Sequence, residues 1–196
     1  MKLKVVYAFF VLSLLIAAAQ VQAEPREFKI DEEHFSVGFM VGHVGFKNQL
    51  GMFLEASGEF VWDEETNELH SGEVVIQSDS VFTNHDRRDR HVRSGDFLNA
   101  RRHSEIRFEA TDWEPSDNAS GVLRGDLSML GETHPVELDV TINRTDVYPF
   151  GHEEYTVGMS MRGVIQRSEW GMTYALEDDM VGDDVEVILE FEAIRQ

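Results

Sequence analysis

Tyr155-Thr156-Val157-Gly158-Met159-Ser160-Met161-Arg162-Gly163-Val164-Ile165 alternates residue by residue. Tyr155, Val157, Met159, Met161, Gly163 and Ile165 share one set of positions, and Thr156, Gly158, Ser160 and Arg162 fall between them. Successive side chains of a strand point to opposite faces, so a period of two predicts a strand with one apolar and one polar side. The same period recurs on either side of this stretch. It appears in Phe28/Ile30, in Phe35/Val37/Phe39/Val41/His43, and in Leu54/Ala56/Gly58/Phe60/Trp62. It continues through Val74/Ile76, Ile106/Phe108/Ala110, Leu123 to Met129, Val136 to Ile142 and Val185 to Ala193. About eight or nine strands result, each with one wet face, as antiparallel sheets have. Many strands with little helix indicate an all-β barrel or sandwich.

Turn residues separate the strands at Asp63 to Asn67, Pro115 to Asn118 and Gly182 to Asp184. Two segments lose the period, roughly residues 80–100 and Gln166 to Met172 with Trp170, and one or two short helices are expected there. The apolar set mixes aromatics and methionines with several glycines. Glycine in a strand marks a bend or a close approach, and methionine supplies adaptable apolar surface. An eight-stranded barrel is just wide enough to be filled by its own side chains or to hold one small ligand. Periodicity alone leaves both readings open.

At the front of the chain, Lys2 and Lys4 precede an apolar run from Val5 to Ala19, and Val21 and Ala23 occupy the positions that a signal peptidase inspects. A secretory signal peptide over residues 1–23 is expected, cleaved after Ala23, because the apolar core falls short of a membrane span. Residues 24–196 then form one domain. The 17 basic residues less Lys2 and Lys4 leave 15 against 37 acidic ones, a net charge of −22. That excess excludes a nucleic-acid partner, whose phosphates require basic surface. It suits a salt-rich milieu, where repulsion between carboxylates is screened. With no cysteine, disulfides and thiolate metal sites are excluded.

The segment Thr83-Asn84-His85-Asp86-Arg87-Arg88-Asp89-Arg90-His91-Val92-Arg93-Ser94-Gly95-Asp96-Phe97-Leu98 concentrates charge between strands. As a helix it would place His85 and Asp89 on one face, and His43, His103 or His134 are the candidates to complete a zinc site. Clustered arginines oppose a divalent cation, however, and pair with carboxylates or an anionic ligand group instead. No HExxH or Gly-x-Ser-x-Gly pattern accompanies them, so no catalytic residue and no metal ligand is assigned.

Several spaced motifs, taken together, resemble the YceI-like family. They are His34-Phe35-Ser36-Val37-Gly38-Phe39 with His43-Val44-Gly45, Arg88-Asp89-Arg90-His91-Val92-Arg93-Ser94-Gly95-Asp96-Phe97-Leu98, and Gly125 to Val136. Arg167-Ser168-Glu169-Trp170-Gly171-Met172 and Val181-Gly182-Asp183-Asp184-Val185 complete the series in family order. One departure is Phe35, which stands between His34 and Ser36 where the family has serine directly after the histidine. The resemblance implies an extended, antiparallel, eight-stranded, lipocalin-like barrel that holds a long isoprenoid or similar lipid, without catalysis. Phe39, Val41, Phe60, Phe108, Met159 and Met161 are then expected to line the cavity, with His43 and Trp170 beside them. Arg88, Asp89 and His91, within the family motif, are the candidates for its polar end.

The expected protein is periplasmic and non-enzymatic. Its partner is an amphiphile such as a polyprenyl compound or quinone, and it has no cofactor besides that lipid. It keeps no membrane span after processing, and a homodimer through an exposed strand edge is compatible with the pattern. Two other classes stay open on the residues alone: a metal-dependent hydrolase using the 85–103 segment, and a structural stress-related protein with a filled core.

Overall fold

The computed structural model describes residues 24–196, so the signal segment and its cleavage after Ala23 lie outside the described residues. The strands are β1 (Arg26–His43), β2 (Lys47–Phe53), β3 (Ala56–Asp63), β4 (Glu68–Gln77) and β5 (Val81–Phe82), then β6 (Glu105–Pro115), β7 (Ser120–Met129), β8 (Glu132–Val147), β9 (Tyr155–Gln166) and β10 (Val181–Arg195). Helix α1 (Asp86–Val92) and two 3-10 turns, Ser78–Ser80 and Arg167–Trp170, fall in the two segments that lose the strand period. Each strand pairs antiparallel with its neighbours in the order β1-β3-β4-β6-β7-β8-β9-β10, and β10 returns to β1. The result is the expected closed eight-stranded barrel.

Register explains why the alternation closes the barrel. Val157, Met159 and Met161 of β9 stand opposite Ala193, Phe191 and Leu189 of β10, so apolar side chains meet on the inner face. On the outer face, Ser160 donates to Glu190 and Arg162 forms an ion pair with the same carboxylate. Slipping either strand by one residue would exchange the two sets, which strongly fixes the pairing.

Three sequence-based boundaries shift. Leu54 does not continue the inner face of Phe60 and Trp62; it is 62% exposed. β2 and β3 lie end to end along β1, and Ser80 accepts the amides of Leu54 and Glu55 at the break. The break moves the inward set from odd positions in β2, such as Phe53, to even positions in β3. Residues 31–34, which separate two apolar stretches in the sequence, form instead an irregular bulge within the single strand β1. Gly182-Asp183-Asp184 is not a turn but the start of β10. A Cβ at Gly182 would sit 3.3 Å from the Gly42 amide nitrogen, so glycine permits close approach of β10 to β1. The connection from β9 instead spans residues 167–180.

The barrel's two ends differ. At the hairpin end, Asn67 Oδ1 accepts from the indoles of both Trp62 and Trp113, at 3.1 and 3.3 Å. Tyr155 donates to Glu64, and the Arg195 guanidinium lies 4.2 Å from the Tyr155 ring centroid. The opposite end is crossed by α1 and the segment that follows it.

Candidate functional site: the barrel interior

Two apolar chambers occupy the barrel interior. The larger, about 180 Å³, lies under α1 and is bounded by Phe39, Val41, Phe53, Ile165 and Val187, together with Val92, Phe97 and Leu98 from the crossing segment. The smaller, about 70 Å³, lies toward the hairpin end among Phe60, Trp62, Trp113, Met159 and Met161. Val74, Phe108, Leu138 and Leu189 border both, so they form a waist between them. A Cβ at Gly125 would lie 2.4 Å from the Phe108 ring, so this glycine gives the waist ring its place against the wall. Phe39, Phe108, Ile165 and Val187 are only half-buried although they point inward. They pack against the buried core on one side and border the chambers on the other, whereas filled interiors leave few gaps larger than a water.

The larger chamber has one charged side chain in its lining, Arg167. Its exposure is 2%, and among the described residues no carboxylate forms an ion pair with it. Its Nε donates to Gly182 O, Nη1 to Met172 O, and Nη2 to Tyr174 O and Val181 O. Four of the five N–H donors of a guanidinium are thereby used. The same group lies 5.8 Å from the Phe97 ring centroid. Burial pushes its pKa down from the ordinary value and nearby Asp183 opposes that shift, but an arginine keeps its proton in either case. The chamber therefore carries a fixed cation beneath its lid.

The charged run serves a different purpose. His85 caps α1 by accepting the Arg88 amide at 3.4 Å, and Asp86 and Asp89 sit in the helix's first turn. Asp89 is 5% exposed and accepts from both the amide and the hydroxyl of Thr83. Arg88 donates to the Thr83 hydroxyl and carbonyl, and Arg93 donates to the carbonyls of Asp79 and Val81. These bonds latch α1 to the strand segment before it. His91 faces outward, bonding Asp96 at 2.9 Å and meeting the rings of Phe97 and Tyr174 edge-on.

Six of the eight lining candidates come together inside: Phe39 and Val41 in the larger chamber, Phe60, Met159 and Met161 in the smaller, and Phe108 at the waist. His43 is exposed at the end of β1. Trp170 is buried at the lid-end rim, where its indole donates to Leu127 O and packs on His134; it borders neither chamber. Arg88, Asp89 and His91 are likewise outside both linings. Sequence reasoning missed Arg167, although it stands at the head of a quoted motif as its single cation. Its one distinguishing signal was its place in a break of the strand period beside Trp170 and Met172.

Comparison with known proteins adds three results. The YceI-like domain matches residues 28–193. A UPF0312 protein of Pectobacterium atrosepticum is 30% identical over 193 residues, covering 98% of each chain. Among solved structures, a Campylobacter jejuni YceI protein is 25% identical with a TM-score of 0.69, covering 79% of this chain and 89% of its own. A polyisoprenoid binding domain from Saccharophagus degradans shares the fold at 13% identity, with a TM-score of 0.61 and coverage of 86% and 98%.

Proposed function

The chain belongs to the YceI-like family, and on that premise we propose that it is a periplasmic lipid-binding barrel that holds an isoprenoid, quinone or similar long-tailed amphiphile. The observation that carries this reading is the pair of apolar chambers joined at the Phe108 waist inside one closed barrel. The name of the Saccharophagus degradans domain supports an isoprenoid as the class of tail. Family and fold both point to binding rather than catalysis. His85 caps α1 and His91 bonds Asp96, so both histidines of this helix already have structural partners. Export depends on residues 1–23 acting as a signal peptide. Among the described residues no helix is long and apolar enough to cross a membrane. The chambers close within one chain, so the proposal needs no second subunit.

Size and energy constrain how a tail would enter. An engineered apolar cavity of about 150 Å³ takes up benzene, so the larger chamber as it stands suits only a short segment of tail. A longer tail must pass the waist and use both chambers. Each buried methylene contributes roughly 0.8 kcal/mol, so several isoprene units already supply ample affinity. The headgroup then sets orientation, and Arg167, whose fifth N–H has no backbone acceptor among the described residues, is the cation nearest the larger chamber and favours an anionic or oxygen-rich head. Arg88, Asp89 and Arg93 hold the lid shut over the bound tail.

Native mass spectrometry of protein exported to the periplasm, followed by organic extraction, tests the reading. The expected result is one amphiphile per chain that extraction removes. Protein that carries no adduct and takes up no isoprenoid quinone from vesicles would overturn it.

A further inference from the structure

The bulge in β1 builds a second constellation on the outside of the barrel, where Asp31 and Glu192 follow the chamber-lining residues Ile30 and Phe191 in the chain. Opposite β10, the pairing jumps from Ile30–Ala193 to Phe35–Phe191, so residues 31–34 arch out of the ladder. Asp31 stabilises the arch by accepting the Glu33 amide at 3.0 Å through Oδ1, leaving Oδ2 free to meet His34 Nδ1 at 2.7 Å. Glu192 rises from β10 beneath them, its Oε2 3.8 Å from the same imidazole nitrogen. That oxygen has an accessible area below 1 Å² and no hydrogen-bond partner, although the Glu192 side chain as a whole is 33% exposed. An oxygen left unpartnered this way loses hydration without compensation. Among the described residues this is the only place where three ligand-type side chains converge, all donor atoms lying within 4.8 Å of one another.

We infer that Asp31, His34 and Glu192 form a binding site for a divalent transition-metal ion, zinc being the best match. One imidazole with two carboxylates is a donor set that zinc accepts, at nitrogen and oxygen distances of about 2.0–2.2 Å. A tetrahedral shell of that radius separates its donors by roughly 3.4 Å. The observed 2.7 and 3.8 Å lie on either side of that value, so small rotations of the exposed His34 and the part-buried Asp31 and Glu192 complete the shell. A cation there would give the orphaned Glu192 oxygen a partner, and water would fill the fourth position. Tyr148 and His152 flank the site from the β8–β9 loop, their rings stacked at 4.5 Å. Burial, the Glu192 charge and a hydrogen bond to the Glu192 carboxylate push the Tyr148 phenol up. The ion would tie β1 to β10 across the seam where the barrel closes and the ladder is interrupted.

The site was invisible in the sequence because Glu192 lies far along the chain from Asp31 and His34, and no ligand spacing unites them. A chain this acidic also binds cations diffusely, so the test must separate a built site from a general atmosphere. Equilibrium dialysis with zinc chloride, in molar sodium chloride and excess magnesium, reads stoichiometry and affinity. One zinc per chain is expected for the unaltered protein. Outer-sphere partners alone are worth roughly 10–100-fold in metal affinity. His34→Ala and Glu192→Gln should therefore each weaken binding by at least about tenfold, while His91→Ala, which removes the exposed His91–Asp96 pair, leaves it unchanged. His34 is exposed, so its variant should fold, and circular dichroism checks that it does. Zinc binding that is equal in all four proteins, or that never saturates, overturns the assignment.

Discussion

The two ends of this barrel are closed by different chemistry. At the hairpin end, Trp62 and Trp113 share one amide acceptor on Asn67, and Tyr155 and Glu64 link the rim. These groups belong to strands and short turns, so closing that end and forming the barrel are one event. At the other end, α1 is held by side chains that bond to backbone: Arg88 to Thr83, and Arg93 to Asp79 and Val81. Asp89 completes that latch from a buried position. A lid held in this way can leave while the strands stay paired. The hairpin end is a plug and the α1 end a door.

The largest effect expected from this difference is at the plug. Trp62→Ala removes a side chain that is 6% exposed and should cost about 3–5 kcal/mol, read as a fall in the denaturant midpoint of the whole barrel. A loss confined to ligand uptake, with global stability kept, would contradict a plug integral to the fold. The door should respond more weakly and more locally. Asp89→Ala leaves two Thr83 donors without their acceptor, at about 1–3 kcal/mol. Hydrogen exchange should then speed up first over residues 83–98, before the strands open. If the strands lost protection together with α1, the lid would not be a separable unit.

The waist offers a finer comparison between the chambers. Phe108→Leu widens the waist at a stability cost of about 1 kcal/mol. It should favour long-tailed amphiphiles over short ones in a competition assay, because only a long tail needs both chambers. Equal gains for long and short tails would remove the waist from the account.

The smallest effect lies outside both ends. A hydrogen bond to Asp31 holds the His34 pKa above its ordinary value, and the bond to His34 holds Asp31 below its own. The His34 contribution is complete below about pH 6.5 and is lost as pH rises through the raised value. The Asp31 contribution is complete above about pH 4 and is lost as pH falls through the lowered value. Their joint contribution therefore peaks between those limits. At so exposed a pair, screening keeps it under about 1 kcal/mol. In metal-free protein, an NMR titration should place His34 above 6.5, and Asp31→Asn should bring it down. A His34 value that ignores the substitution would remove Asp31 as the cause.

Much of this could be read before the fold was known. Alternation such as Val157/Met159/Met161 specifies which side of a strand is dry, and matching alternations in β9 and β10 leave one workable register. The helix in residues 80–100 was visible as a loss of period. What was not visible depends on contacts between distant parts of the chain. Nothing local tells Leu54 that Ser80 will break the strand beside it. Nothing in Arg167 reveals that four carbonyls from residues 172–182 will bury it beside the chamber. The most conspicuous charges, in residues 83–98, proved to be outside both chamber linings, because a polar run bonds most readily to the backbone nearest it. The cation at the chamber was the one least conspicuous in sequence.

The central claim is that the interior receives a long-tailed amphiphile, and two of the chain's three tryptophans, Trp62 and Trp113, line the smaller chamber. Titration with an isoprenoid quinone, followed by intrinsic tryptophan fluorescence, reports directly on arrival there. The account predicts saturable quenching at one quinone per chain, weakened when Val74→Phe crowds the waist. Absence of quenching, or quenching that rises without saturation and ignores Val74→Phe, would contradict it.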